Sequence, residues 1–113
     1  MVLLSDYIKA VDGKLLTGQA DPSKIEIRDA YVSDMLSDVM GNAKPGMIWI
    51  TIMKHLNVIA VASMTGMNTI LFARNSFPDQ PVIDKAIEED ICLVQSPKTV
   101  FELAGILFKL LGN

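Results

Sequence analysis

MIWITIMKHLNVIAVASMTGMNTILFARN, residues 47–75, reads as strand, turn, helix and strand in direct succession. Residues 47–52 are apolar apart from Thr51, and Ile48, Ile50, Thr51 and Ile52 are β-branched. A short run of this kind suits a strand covered on both faces, as in a parallel sheet. Lys54, His55 and Asn57 interrupt the run, and Asn57 is a residue type that receives a helix start well. Val58, Ile59, Val61, Ala62 and Met64 continue to a stop at Thr65-Gly66. Ile70 to Ala73 supplies a second apolar strand, ended by Arg74-Asn75-Ser76. Two parallel strands joined by a helix form a right-handed βαβ crossover. The fold class expected is therefore α/β, a mostly parallel sheet built from βαβ units with an extra N-terminal helix and strands.

Working back toward the N-terminus, Ser33 or Asp34 can cap a helix whose apolar positions are Met35, Leu36, Val39 and Met40, closed by Gly41-Asn42. The acidic positions beside it, Asp34 and Asp38, read as a solvated face near a helix start, where the macrodipole favours carboxylates, rather than as a cation site. Ile25, Ile27 and Tyr31 alternate against Glu26, Arg28 and Ala30, the pattern of a strand with one wet face, near the sheet's edge. Lys14 to Gly18 predicts a further strand, and Leu4, Ile8 and Val11 predict a first helix with Ser5 or Asp6 as its cap. Toward the C-terminus, Val82, Ile83, Ala86 and Ile87 line one side of a helix capped by Asp79, and Ile91 to Val94 is the last strand. The final helix starts either at Ser96 with Pro97 in its first turn or at Thr99 with Glu102 in a capping box.

The chain has 113 residues, enough for one domain over residues 1–113 and too few for two. Half of it is hydrophobic and the mean hydropathy is +0.36, high for so small a domain. Leu103-Ala104-Gly105-Ile106-Leu107-Phe108 leaves the last helix without a polar stripe until Lys109. Such a helix needs cover on more than one side, and a homodimer burying part of it is the expectation. No formal charge falls between His55 and Arg74, yet Asn57, Ser63, Thr65, Asn68 and Thr69 break the interval and argue against a membrane span. Met1-Val2-Leu3-Leu4 meets Ser5-Asp6 too early for a signal peptide, so a cytoplasmic protein is expected. The net charge of −3, with basic residues scattered, argues against nucleic acid as a partner. Cys92, the single cysteine, reads as a buried strand residue.

Three strand-to-helix turns share one edge of a parallel sheet, and ligands of open α/β sheets bind beyond the carboxyl ends of the strands. The candidate ligand residues there are Lys54, His55, Asn57, Arg74, Ser76, Ser96 and Thr99. Helix N-termini and the positive charge of Lys54, His55 and Arg74 would suit an anionic small molecule such as a nucleotide or an acyl phosphate. Each of these residues also has the plainer reading of a solvated turn residue. His55 has no second histidine near it to form a metal set or a catalytic pair. Phosphate-binding glycine loops, dinucleotide-binding glycines, a nucleophile elbow and zinc signatures are lacking, so neither catalytic residues, nor a metal, nor a cofactor is expected.

Several phrases, in order, resemble the DRTGG domain family, akin to the N-terminal domain of HPr kinase/phosphorylase. They are Leu15-Leu16-Thr17-Gly18, Ser33 to Met40, Gly46 to Ile52, His55 to Ala62 and Phe101 to Gly105. Met53-Lys54-His55 and Phe72-Ala73-Arg74 stand where related domains show Gly-Asp-Arg and Thr-Gly-Gly. The resemblance implies a three-layer fold and a non-catalytic, regulatory role that includes dimerisation. It is nearest to stand-alone members, some of which resemble accessory proteins of iron-only hydrogenases, so a redox-enzyme partner is also implied. A sensing module for an anionic ligand is the alternative, and a phosphotransfer enzyme by analogy to HPr kinase/phosphorylase is the remote one.

Overall fold

The computed structural model describes residues 1–113. In chain order the elements are β1 (Val2–Leu3), α1 (Leu4–Ala10), β2 (Lys14–Leu15), β3 (Glu26–Ile27), β4 (Asp29–Val32), α2 (Leu36–Asn42), β5 (Met47–Thr51), α3 (Asn57–Thr65), β6 (Thr69–Phe72), α4 (Gln80–Glu88), β7 (Cys92–Gln95) and α5 (Val100–Leu110). A short 3-10 turn, Pro22–Lys24, precedes β3. The main sheet has the order β2-β7-β6-β5-β4, in which β4 to β7 are mutually parallel and β2 is antiparallel to β7. The expected α/β class and the βαβ unit at residues 47–75 are both present.

Alternation along the strands divides the core into two layers. Trp49, Ile70, Phe72 and Leu93 face α2, α3 and α4, while Ile48, Ile50, Leu71, Cys92 and Val94 face α1 and α5. Both faces of β5, β6 and β7 are covered, which is why those strands carry almost unbroken apolar runs. Gly66 ends α3 in the left-handed region at φ 78°, a conformation glycine adopts without a Cβ penalty.

Several local expectations shift. Residues 25–31 form two strands rather than one: β3 pairs with β1, and after Arg28 the chain changes partner and β4 joins β5. The N–H of Arg28 donates to Gly46 O at that switch. β4 is an edge strand, as its wet face implied. Ser5 and Asp6 lie inside α1, whose N-cap is Leu3, because β1 runs straight into the helix. The predicted strand at 14–18 is regular only over Lys14–Leu15, and the Thr17 hydroxyl then accepts from Leu93 N. Helix α2 starts one residue later than its apolar stripe implied, so Met35 is 63 % exposed and Leu36 and Val39 do the packing. Helix α3 begins at Asn57 without a side-chain cap, its N-cap being Leu56. Of the two starts open to α5, the Thr99–Glu102 capping box forms.

Candidate functional site at the carboxyl rim

Because β4 to β7 run the same way, the segments after them gather at one rim. Connections from β5 and β6 lead to α3 and α4 on one face of the sheet, whereas β7 leads to α5 on the other. Adjacent strands whose connections diverge in this way mark the place where open α/β sheets form a ligand crevice. Here that place is between the ends of β6 and β7.

The segment after β6 is held closely. Arg74 and Asn75 both take left-handed backbone, at φ 57° and 56°, a conformation that holds a non-glycine side chain at a cost. Their N–H groups donate to Lys98 O and Ser96 O, both at 2.9 Å, which laces this segment to the one after β7. The hydroxyl of Ser76 donates to Ile52 O at 2.8 Å and ties the segment to the one after β5. Ile52 N in turn donates to the Asp34 carboxylate at 3.1 Å, and the same oxygen accepts from the Thr51 hydroxyl at 2.6 Å. A chain of hydrogen bonds thus crosses the rim from the end of β4 to the end of β7.

On this frame lies a shallow cavity of about 290 Å³ lined by Ile52, Lys54, Ala73, Arg74 and Ser76. Neither Lys54 nor Arg74 pairs with a carboxylate, so both cations remain available to an anion. Lys98, by contrast, pairs with Asp12 at 3.8 Å. Of the residues singled out in the sequence, Lys54, Arg74 and Ser76 come together. Asn57 lines a different groove of about 410 Å³ between α3 and α4, together with Leu56, Ile59, Ala60 and Met64. His55 is exposed in the preceding turn, where its carbonyl accepts from Val58 N. Ser96 is buried, and its hydroxyl donates to Val11 O at 2.6 Å. Thr99 caps α5, with the side chain of Glu102 accepting from its N–H. The backbone N–H and hydroxyl of Thr99 hold that carboxyl below the usual carboxylate range.

The donors of the rim are largely committed within the protein. Val58 N and Ile59 N bond to His55 O and Leu56 O, Val82 N and Ile83 N bond to Asp79 O, and the N–H groups of residues 73–76 all have backbone partners. Backbone donors at the helix starts, which the sequence offered as an anion cradle, are therefore mostly spent, and side-chain cations are what the cavity presents. Two contributors were missed in the sequence. Asp34 reads there as a cap or a solvated acid, yet it anchors the end of β5. Gln95 closes β7 and donates weakly, at 3.4 Å, to Asn75 Oδ1, while its own Oε1 is buried without a partner. The weak bond links the end of β7 to the segment after β6, and Gln95 does not line the hollow itself. Only the three-dimensional adjacency of the two segments reveals it.

No three His, Cys, Asp or Glu side chains come together as a metal-binding set. No helix is long and apolar enough to cross a membrane. Burial pushes the Cys92 thiol above its ordinary pKa, which disfavours the reactive thiolate.

The molecule is thus an open α/β domain with a cationic hollow at the carboxyl rim of its parallel strands. Neither a family model nor a curated protein matches the chain. Among solved structures its fold is similar to that of the CBS and DRTGG domains of the regulatory region of Clostridium perfringens pyrophosphatase, a structure complexed with an activator, diadenosine tetraphosphate. The TM-score is 0.72 at 13 % sequence identity, and the match covers 92 % of this chain and 45 % of that one. The chain spans less than half the length of that neighbour, and the likeness is one of fold. The fold is DRTGG-like, as the sequence resemblance implies.

Proposed function

We propose that this chain is a cytoplasmic, non-catalytic regulatory domain that acts as a homodimer and senses a small anionic ligand at its carboxyl rim. The ligand class is a nucleotide or acyl-phosphate anion. The observation that carries the reading is the convergence of Lys54 and Arg74, from the ends of two different strands, on one cavity with Ser76. Two unpaired cations over this floor attract phosphate, and the hydrogen-bonded frame supplies preorganisation. The neighbour in fold, complexed with a polyphosphate dinucleotide, supports the same ligand class. An accessory role toward a redox enzyme is a finer proposal carried by the sequence resemblance, and co-purification of such an enzyme with the tagged chain is its test.

The ligand reading is tested by thermal-shift and calorimetric titration with ATP, diadenosine tetraphosphate, inorganic polyphosphate and acetyl phosphate. A ligand at a hundred times its dissociation constant stabilises the fold by about 2.7 kcal/mol. Binding that is lost in Lys54→Ala and in Arg74→Ala, and that weakens as salt rises, is the expected result. Absence of any shift across the four probes overturns the reading.

A further inference from the structure

Helix α5 buries Leu103 and Leu107 against the sheet and turns Phe101, Gly105 and Phe108 to the outside. The spacing of four and three residues aligns these positions on one stripe. Phe101 is 86 % exposed and Phe108 63 % exposed, the first being the most exposed large apolar side chain of the protein. Gly105 sits between them in the helix interior, and a Cβ added to it would meet nothing within 4 Å. Glycine in a helix interior is destabilising, and nothing within this chain requires it at 105.

We propose that two copies pair through α5 in an antiparallel, two-fold contact that crosses at Gly105. This deepens the homodimer reading given above and rests on it. A two-fold contact must be self-complementary, with each residue meeting the partner of its own counterpart. Phe101 and Phe108 lie at nearly equal distances on either side of Gly105, so each meets the other's copy across the axis. Glu102 and Lys109 flank the stripe on the same side, two helical turns apart, about 10 Å along the axis. Inverting one helix against the other brings the Glu102 of each copy to the Lys109 of its twin, which pairs opposite charges twice. In a parallel pairing this flank of one copy faces the opposite flank of its twin, so the Glu102–Lys109 pairs do not form. Beside Phe108 a small hollow of about 190 Å³, lined in part by Ala30, Val32 and Leu111, lies where the Phe101 ring of the twin arrives. Gly105 against its own copy lets the backbones approach closely enough for the rings to interdigitate. Four phenylalanine rings at roughly 150–250 Å² each supply on the order of half of a standard interface. The exposed edge strand β4 adjoins the same side.

Sedimentation of the full chain over a micromolar concentration series tests the contact. Wild type is expected to be dimeric, and Gly105→Leu to raise its dissociation constant at least a hundredfold. The melting temperature of the Gly105→Leu monomer should equal or exceed that of dilute wild type, because the added side chain points into open space. Lys109→Glu and Glu102→Gln, the latter retaining an acceptor for the Thr99 N–H, should each weaken self-association at low salt. A monomeric wild type overturns the homodimer reading itself. A dimer indifferent to Gly105→Leu and to both charge variants overturns this geometry and leaves homodimerisation by another surface.

Discussion

The Tyr7 hydroxyl donates to the Leu103 carbonyl oxygen at 2.7 Å, both residues being buried, and this bond joins the first helix of the chain to the last. Across 96 positions of sequence it locks α1 and α5 into one layer over the sheet. Loss of such a bond typically costs about 1 kcal/mol, and the Leu103 carbonyl faces a dry interior. Tyr7→Phe, which keeps the ring and its packing, should therefore lower the unfolding free energy by about that amount in urea titration.

The same residue sets an alkaline limit. Burial raises the phenol of Tyr7 well above its ordinary pKa. The unfolded chain releases this proton near pH 10, while the folded chain retains it to higher pH. Above pH 10 the native state thus binds more protons than the unfolded state, and stability falls as pH rises. The contribution is fully present below pH 10 and is lost as pH rises toward the folded value. Wild type should lose stability more steeply than Tyr7→Phe when both are unfolded in urea between pH 9 and 11; parallel curves would show that Tyr7 is not the titrating group.

Gly66 does two things at once. Its backbone is left-handed at φ 78°, and an added Cβ would stand 2.7 Å from Pro45 Cγ, a ring atom of the turn that feeds β5. Gly66→Ala combines backbone strain with this overlap, and a loss of roughly 1–3 kcal/mol is expected. Gly41→Ala is the control, since a Cβ there meets nothing within 4 Å and the site lies inside helix α2. It should leave the midpoint unchanged or raise it.

These positions also show what sequence reading reaches. The stretch 47–75 was legible because its strands are covered on both faces, so burial wrote itself as apolar runs, and the left-handed end of α3 as a glycine. Lys54 and Arg74 followed from that reading, because strands joined by one crossover sit side by side and their ends share a rim. The N-terminal third was less legible. Strands β1 and β3 are two residues long, too short to show a period, and the change of partner at Arg28 has no local signature. Met35 passes for a core residue until the start of α2 is placed. Asp34 precedes a helix, as a cap would, but its hydrogen bonds go to Thr51 and Ile52, sequence-distant residues that only the parallel pairing of β4 and β5 brings near.

Asp34 is accordingly the rim residue whose removal should be felt at a distance. Asp34→Ala leaves the buried Thr51 hydroxyl and the Ile52 N–H without their acceptor. Ile52 O, which receives Ser76, then loses its restraint. A stability loss of about 1–2 kcal/mol is expected, since hydrogen bonds to a charged group are worth more than neutral ones. Asp34→Asn retains a neutral acceptor and should recover about half of it. Equal losses in the two variants would mean that the carboxylate's charge, rather than its geometry, matters.

Arg74 separates the two properties of the rim, strain and charge. Its left-handed backbone at φ 57° favours glycine, whereas its guanidinium is one of the two unpaired cations of the hollow. Arg74→Gly relieves the conformational cost and adds flexibility to the unfolded chain, two effects of opposite sign and each about 1 kcal/mol or less. Stability without ligand should therefore stay within about 1 kcal/mol of wild type. The shift produced by an anionic probe should vanish. Arg74→Lys keeps the positive charge but not the planar fork, and it should retain a weakened response if phosphate is the group recognised. A glycine variant that still responds fully to polyphosphate would remove Arg74 from the site and leave Lys54 without its proposed partner.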